Sequence, residues 1–313
     1  LRRTFMRSLK ENGKTEGQRR KERKNMLVGY AFIFPIVIGL VVFTAVPFFY
    51  SLYLAFTDYN GLKMPSWVGF QNFITMFFED DKFWLSFKIT LKFAVVQVPL
   101  KLIFALLVAV LLSKASRGVG FYRVAFYVPS VLGGSVAIAM TWKILWGNNG
   151  PVNGLLNLLG FESINFLKDT RTALYVLILL GVWQFGSSML IFLAGIKDIP
   201  QIYYEAALMD GASSLQRFFK ITLPLLTPCI FFNLINGIIG SLQAFSSAYL
   251  ITGGGPLNST LYYGLNLYNQ AFEYSKFGYA SAMAWFMLLI IAALTALVFR
   301  SSSAWVFYQS EQD

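Results

Sequence analysis

The stretch EAALMDGASSLQRFFKITLPLLTP, residues 205–228, lies between two long apolar runs. A polar, turn-containing island of this kind sits outside a bilayer while the runs on either side cross it, which predicts an all-α membrane protein. Ala206, Ala207 and Ala212 leave a surface that another protein can approach closely, and Glu205 and Asp210 add carboxylates to it. That composition suits a docking knob; the plainer reading is an ordinary loop helix. Upstream, Asp198 and Pro200 are expected to open a short helix, the acid as a cap and the proline in the first turn. Gly211 then supplies the permissive backbone at which that helix turns.

Working outward, 56% of the 313 residues are hydrophobic and 17% aromatic, with a mean hydropathy of +0.58. A chain of that balance resides mainly in lipid. The net charge of +11 is concentrated early, in Arg2, Arg3, Arg7, Lys10, Lys14, Arg19, Arg20, Lys21, Arg23 and Lys24. Placed ahead of an apolar run, these cations read as a topology signal rather than a nucleic-acid patch. There is no histidine, and Cys229 is the single cysteine, so a His-based triad, a zinc site and an intrachain disulfide are excluded. Gly13-Lys14-Thr15 resembles the end of a phosphate loop, but Ser8 stands where its first glycine belongs. No other Walker A pattern occurs, so energy for any active process comes from another polypeptide.

Six transmembrane helices are expected, at about 26–56, 84–112, 121–146, 172–196, 225–251 and 279–300. The first is longer than the ~20 residues that cross a bilayer, with Pro35 and Pro47 kinking or ending it. It lacks a small-residue cleavage pattern and reads as a retained span. Lys114, Arg117 and Arg123, then Lys197, Arg217 and Lys220, fall on the same side as the basic tail, which predicts cytoplasmic termini and a cytoplasmic 205–228 segment. The domain reading is a basic tail over 1–25, a six-span body over 26–300 with its loop element at about 198–224, and a C-terminal tail over 301–313.

The order Glu-Ala-Ala, two residues, Asp-Gly-Ala, then Phe218, Ile221, Leu223-Pro224 and Pro228, resembles the signature loop of the membrane subunits of binding-protein-dependent ABC importers. Further stretches extend the likeness to the sugar-uptake branch, over about residues 26–300. Trp67-Val68-Gly69-Phe70-Gln71-Asn72-Phe73, with Phe83-Trp84 and Thr90, is similar to the segment before the second span. Arg123, Phe126, Pro129, Trp142 and Gly150-Pro151-Val152-Asn153 match the third-span region. Thr252-Gly253-Gly254-Gly255-Pro256, with Thr260, resembles the glycine-rich outer loop. The larger maltose permease subunit has additional N-terminal spans and a bulky outer domain, for which this sequence has no room.

The resemblance implies a non-catalytic permease in the bacterial inner membrane, working by alternating access. It implies two separate ATP-binding subunits that hold ATP and Mg, a solute-binding protein, a second permease subunit (non-identical, or a second copy) and an oligosaccharide substrate. Glu205, Ala206, Ala207, Asp210, Gly211 and Ala212 would form the coupling helix gripped by an ATPase. A channel or receptor-like protein whose loop binds a scaffold is the rival, but no filter segment or arginine-rich sensor helix is seen.

Polar residues inside spans are costly in lipid and face a cavity or another helix. In the fifth span Asn233, Asn236, Gly240, Gln243 and Ser247 recur at steps of three and four, one helical face that Ser241 adjoins. In the fourth, Gln184, Ser187 and Ser188 lie beside Trp183, a mixture that can stack on a sugar and hydrogen-bond its hydroxyls. The same spans carry substrate contacts in the family; interhelical packing is the other reading. Lys88, Lys92 and Lys143 lie towards span ends and snorkel or face an outer vestibule. Lys101 lies nearer the middle and faces protein. These cations suit an anionic saccharide, and the family resembled includes importers of alginate as well as of neutral maltodextrins, so the resemblance implies an acidic oligosaccharide, with neutral oligosaccharides or glycerol phosphate as the other candidates.

Overall fold

The computed structural model describes residues 16–114 and 118–307. Arg2, Arg3, Arg7, Lys10, the Gly13-Lys14-Thr15 stretch, Arg117 and the chain after Phe307 therefore lie outside the described residues. Among those described, all regular elements are helices apart from one bridge between Thr57 and Trp67. The chain divides into two compact units, Leu1–Leu54 and Ala55–Asp313.

The first unit carries α1 (Glu16–Leu40), a π-helical turn (Val41–Ala45) and α2 (Val46–Leu54). Helix begins at Glu16, inside the basic tail read over 1–25, because Gln18, Arg19, Arg20, Lys21 and Glu22 are all good helix formers. The widened turn precedes Pro47, whose ring crowds the carbonyl of Phe43 four residues back. Arg23–Leu54 is apolar and long enough to cross a membrane, and none of its most apolar window is buried, as befits a helix whose solvent is lipid.

The second unit runs in order through α3 (Gln71–Ile74), α4 (Asp81–Lys114), α5 (Val119–Leu132), α6 (Val136–Leu145), α7 (Pro151–Leu158), α8 (Ala173–Trp183) and α9 (Gly186–Asp198). It continues with α10 (Gln201–Met209), α11 (Ser214–Arg217), α12 (Leu223–Leu225), α13 (Thr227–Leu242), α14 (Tyr263–Tyr268) and α15 (Phe277–Ser302). Among the described residues, three helices are long and apolar enough to span unbroken, and up to six spans result if each bent pair counts as one. The bends are 100° between α5 and α6, 41° between α8 and α9, and 63° between Ser214–Leu225 and α13. The fifth expected span is shorter than its apolar run, since α13 stops at Leu242 and helix resumes only at Ser246.

Helix α4 is the axis, packed against α8, α9, α13 and α14. Near its start Phe83 joins Met76, Tyr263 and Met283; mid-length Phe93 joins Leu177, Leu180 and Tyr262; near its end Ala105 and Ala109 meet Met189 and Phe192. Small residues at that last contact let two helices approach closely, the usual basis of packing in lipid.

The loop motifs resolve into pins. Asn72 donates to the carbonyls of Ala55 and Thr57, buried Asn153 ties Gly147 to Ile164, and Thr260 donates to Gly255. Ser66 gives both its hydroxyl and its N–H to Asp58, which holds that exposed carboxyl below the ordinary carboxylate range. One expectation is corrected: Asp198 is the last residue of α9 rather than a cap, and Pro200 is the N-cap residue of α10 rather than part of its first turn. Packing of α9 on α4 carries the helix past the local stop signal.

Candidate functional site

The chemistry of residues 201–228 begins with how α10 stops. The N–H of Ala212 reaches the carbonyl of Ala207 at 2.9 Å and that of Gly211 reaches Leu208 at 3.0 Å, with Gly211 at φ +74°. This is a Schellman stop, and only glycine takes that left-handed position without cost. The next helix starts at once through a capping box: Gln216 N–H donates to Ser213 Oγ, and Ser213 N–H donates to Gln216 Oε1 at 2.7 Å. A π-helical turn (Phe218–Thr222) accommodates Pro224 as the one over Val41–Ala45 does Pro47, and Tyr204 Oη bonds Thr222 Oγ1 at 2.9 Å across the elbow. Glu205, Ala206, Asp210 and Gly211 are exposed on this element; Ala207 and Ala212 are half-buried. Glu205 also lines a cavity of about 340 Å³ at the span ends, where among the described residues it is the single carboxylate beside Lys114, Lys197 and Arg217.

The second feature is a meeting of the broken spans. The α5–α6 break at Gly133-Gly134, the α8–α9 break at Gln184 and the chain after α13 from Gln243 to Ser247 all line one cavity of about 340 Å³, with α4 as its fourth wall. Irregular backbone is tolerated at membrane depth where it lines such a space. The first two breaks are stitched together. Ser187 N–H donates to Ser130 Oγ at 3.0 Å, Ser130 Oγ donates to the Gln184 carbonyl at 3.3 Å, and Gln184 Nε2 donates to the Gly133 carbonyl at 3.2 Å. Ser130→Ala leaves the Ser187 N–H and Gln184 carbonyl without that partner, so we expect a loss of about 1–3 kcal/mol. Thermal unfolding of the purified protein measures it.

Of the residues singled out in the sequence, Gln184, Asn236, Ser241, Gln243, Ser247 and Lys101 line this cavity. Ser187 and Ser188 line a second one of about 260 Å³, which shares Lys101, Asn236 and Gly237 with the first. Trp183 lines neither; its ring lies 5.7 Å from that of Trp142 in the core. Ser241 is buried and spends its hydroxyl on Ile238, and Asn233 likewise donates to Cys229. The single polar face expected for the fifth span is interrupted at Gln243, so Ser247 reaches the cavity from beyond a break. Sequence reasoning missed Ser130, Gly133, Gly134, Ser246 and, on α4, Phe93 and Gln97. The last pair was findable, since they precede Lys101 at steps of four on one helix face. Lys92 caps the ring of Tyr175 at 5.3 Å, and Lys88 and Lys143 are exposed.

Residues 98–304, which include both features apart from the first turns of α4, match the family described as binding-protein-dependent transport system inner membrane component. The chain belongs to that family. This permease subunit is 50% identical over 297 residues to the probable ABC transporter permease protein YesP of Bacillus subtilis, covering 94% of this chain and 96% of that one. It is 34% identical to the lactose transport system permease protein LacF of Rhizobium radiobacter, covering 88% and 93%. Among solved structures, a chain of the bacterial alginate ABC transporter in complex with an alginate pentasaccharide-bound periplasmic protein shares the permease fold. The TM-score is 0.79 at 22% identity, with 90% of this chain and 96% of that one covered. The permease is a non-catalytic, multi-pass component of the inner membrane.

Proposed function

We propose that this permease subunit carries an oligosaccharide, one bearing carboxylates, through the cavity between its broken spans. The observation that carries the reading is the lining: carboxamides, hydroxyls and backbone groups from four spans surround Lys101, the sole formal charge on either cavity among the described residues. A cation at that depth costs ~2.5–3.5 kcal/mol on insertion scales, a cost that an anionic solute offsets. Relatives named for lactose and for starch degradation products, and the fold shared with the alginate importer, support a saccharide.

The drive comes from outside the chain. We assign α10, with Glu205 as charged contact and Ala206, Ala207, Asp210, Gly211 and Ala212 as close-packing surface, as the coupling helix received by one of two ATP-binding subunits. Both termini and this helix face the cytoplasm in this scheme, a solute-binding protein delivers substrate from the opposite side, and a second permease, non-identical in the branch this chain resembles, occupies the other ATPase. ATP then favours the outward-facing state through contacts absent in the inward-facing one.

The test is Gln243→Leu. Gln243 is exposed at the cavity, its side chain unbonded among the described residues. Saccharide-dependent ATP hydrolysis by the reconstituted complex should fall about tenfold at fixed saccharide, the loss of one to two hydrogen bonds. Unchanged saccharide dependence moves Gln243 off the path and into a packing role.

A further inference from the structure

We infer that Gln97, just ahead of the residues matched by the family, is a substrate-recognition residue. With Phe93 and Lys101 it forms a ladder on α4 that reads an acidic saccharide. This rests on the central cavity being the path. All three side chains line that cavity at i, i+4 and i+8, so the ladder extends about 12 Å along the helix at 1.5 Å per residue.

Gln97 is 7% exposed, yet its carboxamide makes no hydrogen bond among the described residues. Its amide atoms are not sealed in protein but open to the cavity, where a carboxamide offers two donors and an acceptor with two lone pairs. The room it occupies is reserved for it. A methyl at Gly181 on α8 would lie 2.9 Å from Gln97 Nε2 and 3.0 Å from its Cγ, so the facing helix keeps a bare backbone where the side chain lies. A carboxamide held in place, with no protein partner and open to the cavity, is free to bond what enters it. The chemistry it fits is a pair of neighbouring sugar hydroxyls, one accepting from Nε2 and one donating to Oε1. One helical turn away Lys101 offers an ammonium for a carboxylate, and Phe93 an apolar contact for a ring's C–H face. A uronic-acid oligosaccharide presents all three.

The experiment uses the full complex in nanodiscs without its binding protein, with trigalacturonate and neutral galactotriose as probes. Half-saturation is read from thermal stabilisation, which any ligand that prefers the folded state produces. Gln97→Leu is expected to raise half-saturation about tenfold for both sugars while leaving the sugar-free complex as stable as the parent or more so. Replacing an unpaired buried amide by an apolar group of similar size removes no bond. Lys101→Met is expected to raise it for trigalacturonate alone.

A lowered melting temperature in Gln97→Leu, or failure to assemble, makes Gln97 structural and overturns the inference, as does unchanged half-saturation. Equal discrimination between the two sugars by Lys101→Met overturns the acidic class. Gln243→Leu separates the two levels. If it and Gln97→Leu both leave half-saturation unchanged, the cavity is not the path; if it alone raises half-saturation, the path stands and Gln97 is not part of it.

Discussion

Glu205→Lys should abolish binding-protein-stimulated ATP hydrolysis and uptake while the subunit still inserts in the membrane. Glu205 is exposed on α10 and, among the described residues, is the one carboxylate lining a cavity that also holds Lys114, Lys197 and Arg217. Reversal adds a fourth cation to that cluster and, in the proposed docking, takes away the carboxylate that would meet a basic residue of the ATPase. Breaking a desolvated ion pair costs ~3–5 kcal/mol because one charge stays buried alone, and every 1.4 kcal/mol is about a factor of ten in occupancy. Docking should therefore fall at least about a hundredfold, read as loss of the ATPase from the affinity-purified complex. Lys220 is exposed nearby, and an exposed rim charge is worth ~0–1 kcal/mol, so Lys220→Ala should leave copurification close to normal. Full transport by Glu205→Lys would end the docking assignment.

The second large effect is expected at Gly186, the first residue of α9. A methyl there would overlap the Phe126 carbonyl oxygen and lie 2.7 Å from Tyr127 Cα and 2.8 Å from Ser130 Oγ. Two of those atoms belong to the backbone of α5, so relief requires a helix to move rather than a side chain to turn. Overpacking of this kind costs about 1–3 kcal/mol, and the shift would also part Ser130 from Ser187 and Gln184. Gly186→Ala should lower the melting temperature and, by unstitching two breaks, depress transport in the assembled fraction. Gly120, also on α5, has nothing within 4 Å of an added methyl. Gly120→Ala should be neutral or gain roughly 0.5–1 kcal/mol from helix preference, and a comparable loss from both variants would mean that close approach is not the cause.

The membrane-spanning, helical character of this chain was legible because long apolar runs report directly on lipid burial. Where those runs break was not. Gln184 departs from helix because Ser130, more than fifty residues earlier, bonds its carbonyl and the Ser187 N–H, and no local pattern announces a partner so distant. Asp198 misled for a related reason, since capping preference is weaker than the packing that carries α9 to its end. Trp183 offered a ring beside polar neighbours, but its indole is spent on Trp142. Gln97 was legible in principle: the reasoning applied to polar residues of the fourth and fifth spans reaches it on the second, at the spacing that leads to Lys101.

The elbow between α10 and α13 has a mechanical corollary. Its helix ends are closed by their own atoms at Ala207, Leu208, Ser213 and Gln216, and the hydroxyls of Tyr204 and Thr222 brace the opposite side. These bonds all join residues within 204–222, so the joint is closed by its own chain. In the proposed coupling, a thrust applied to α10 would pass through this joint into the fifth span as through a bell crank rather than be absorbed as local stretching.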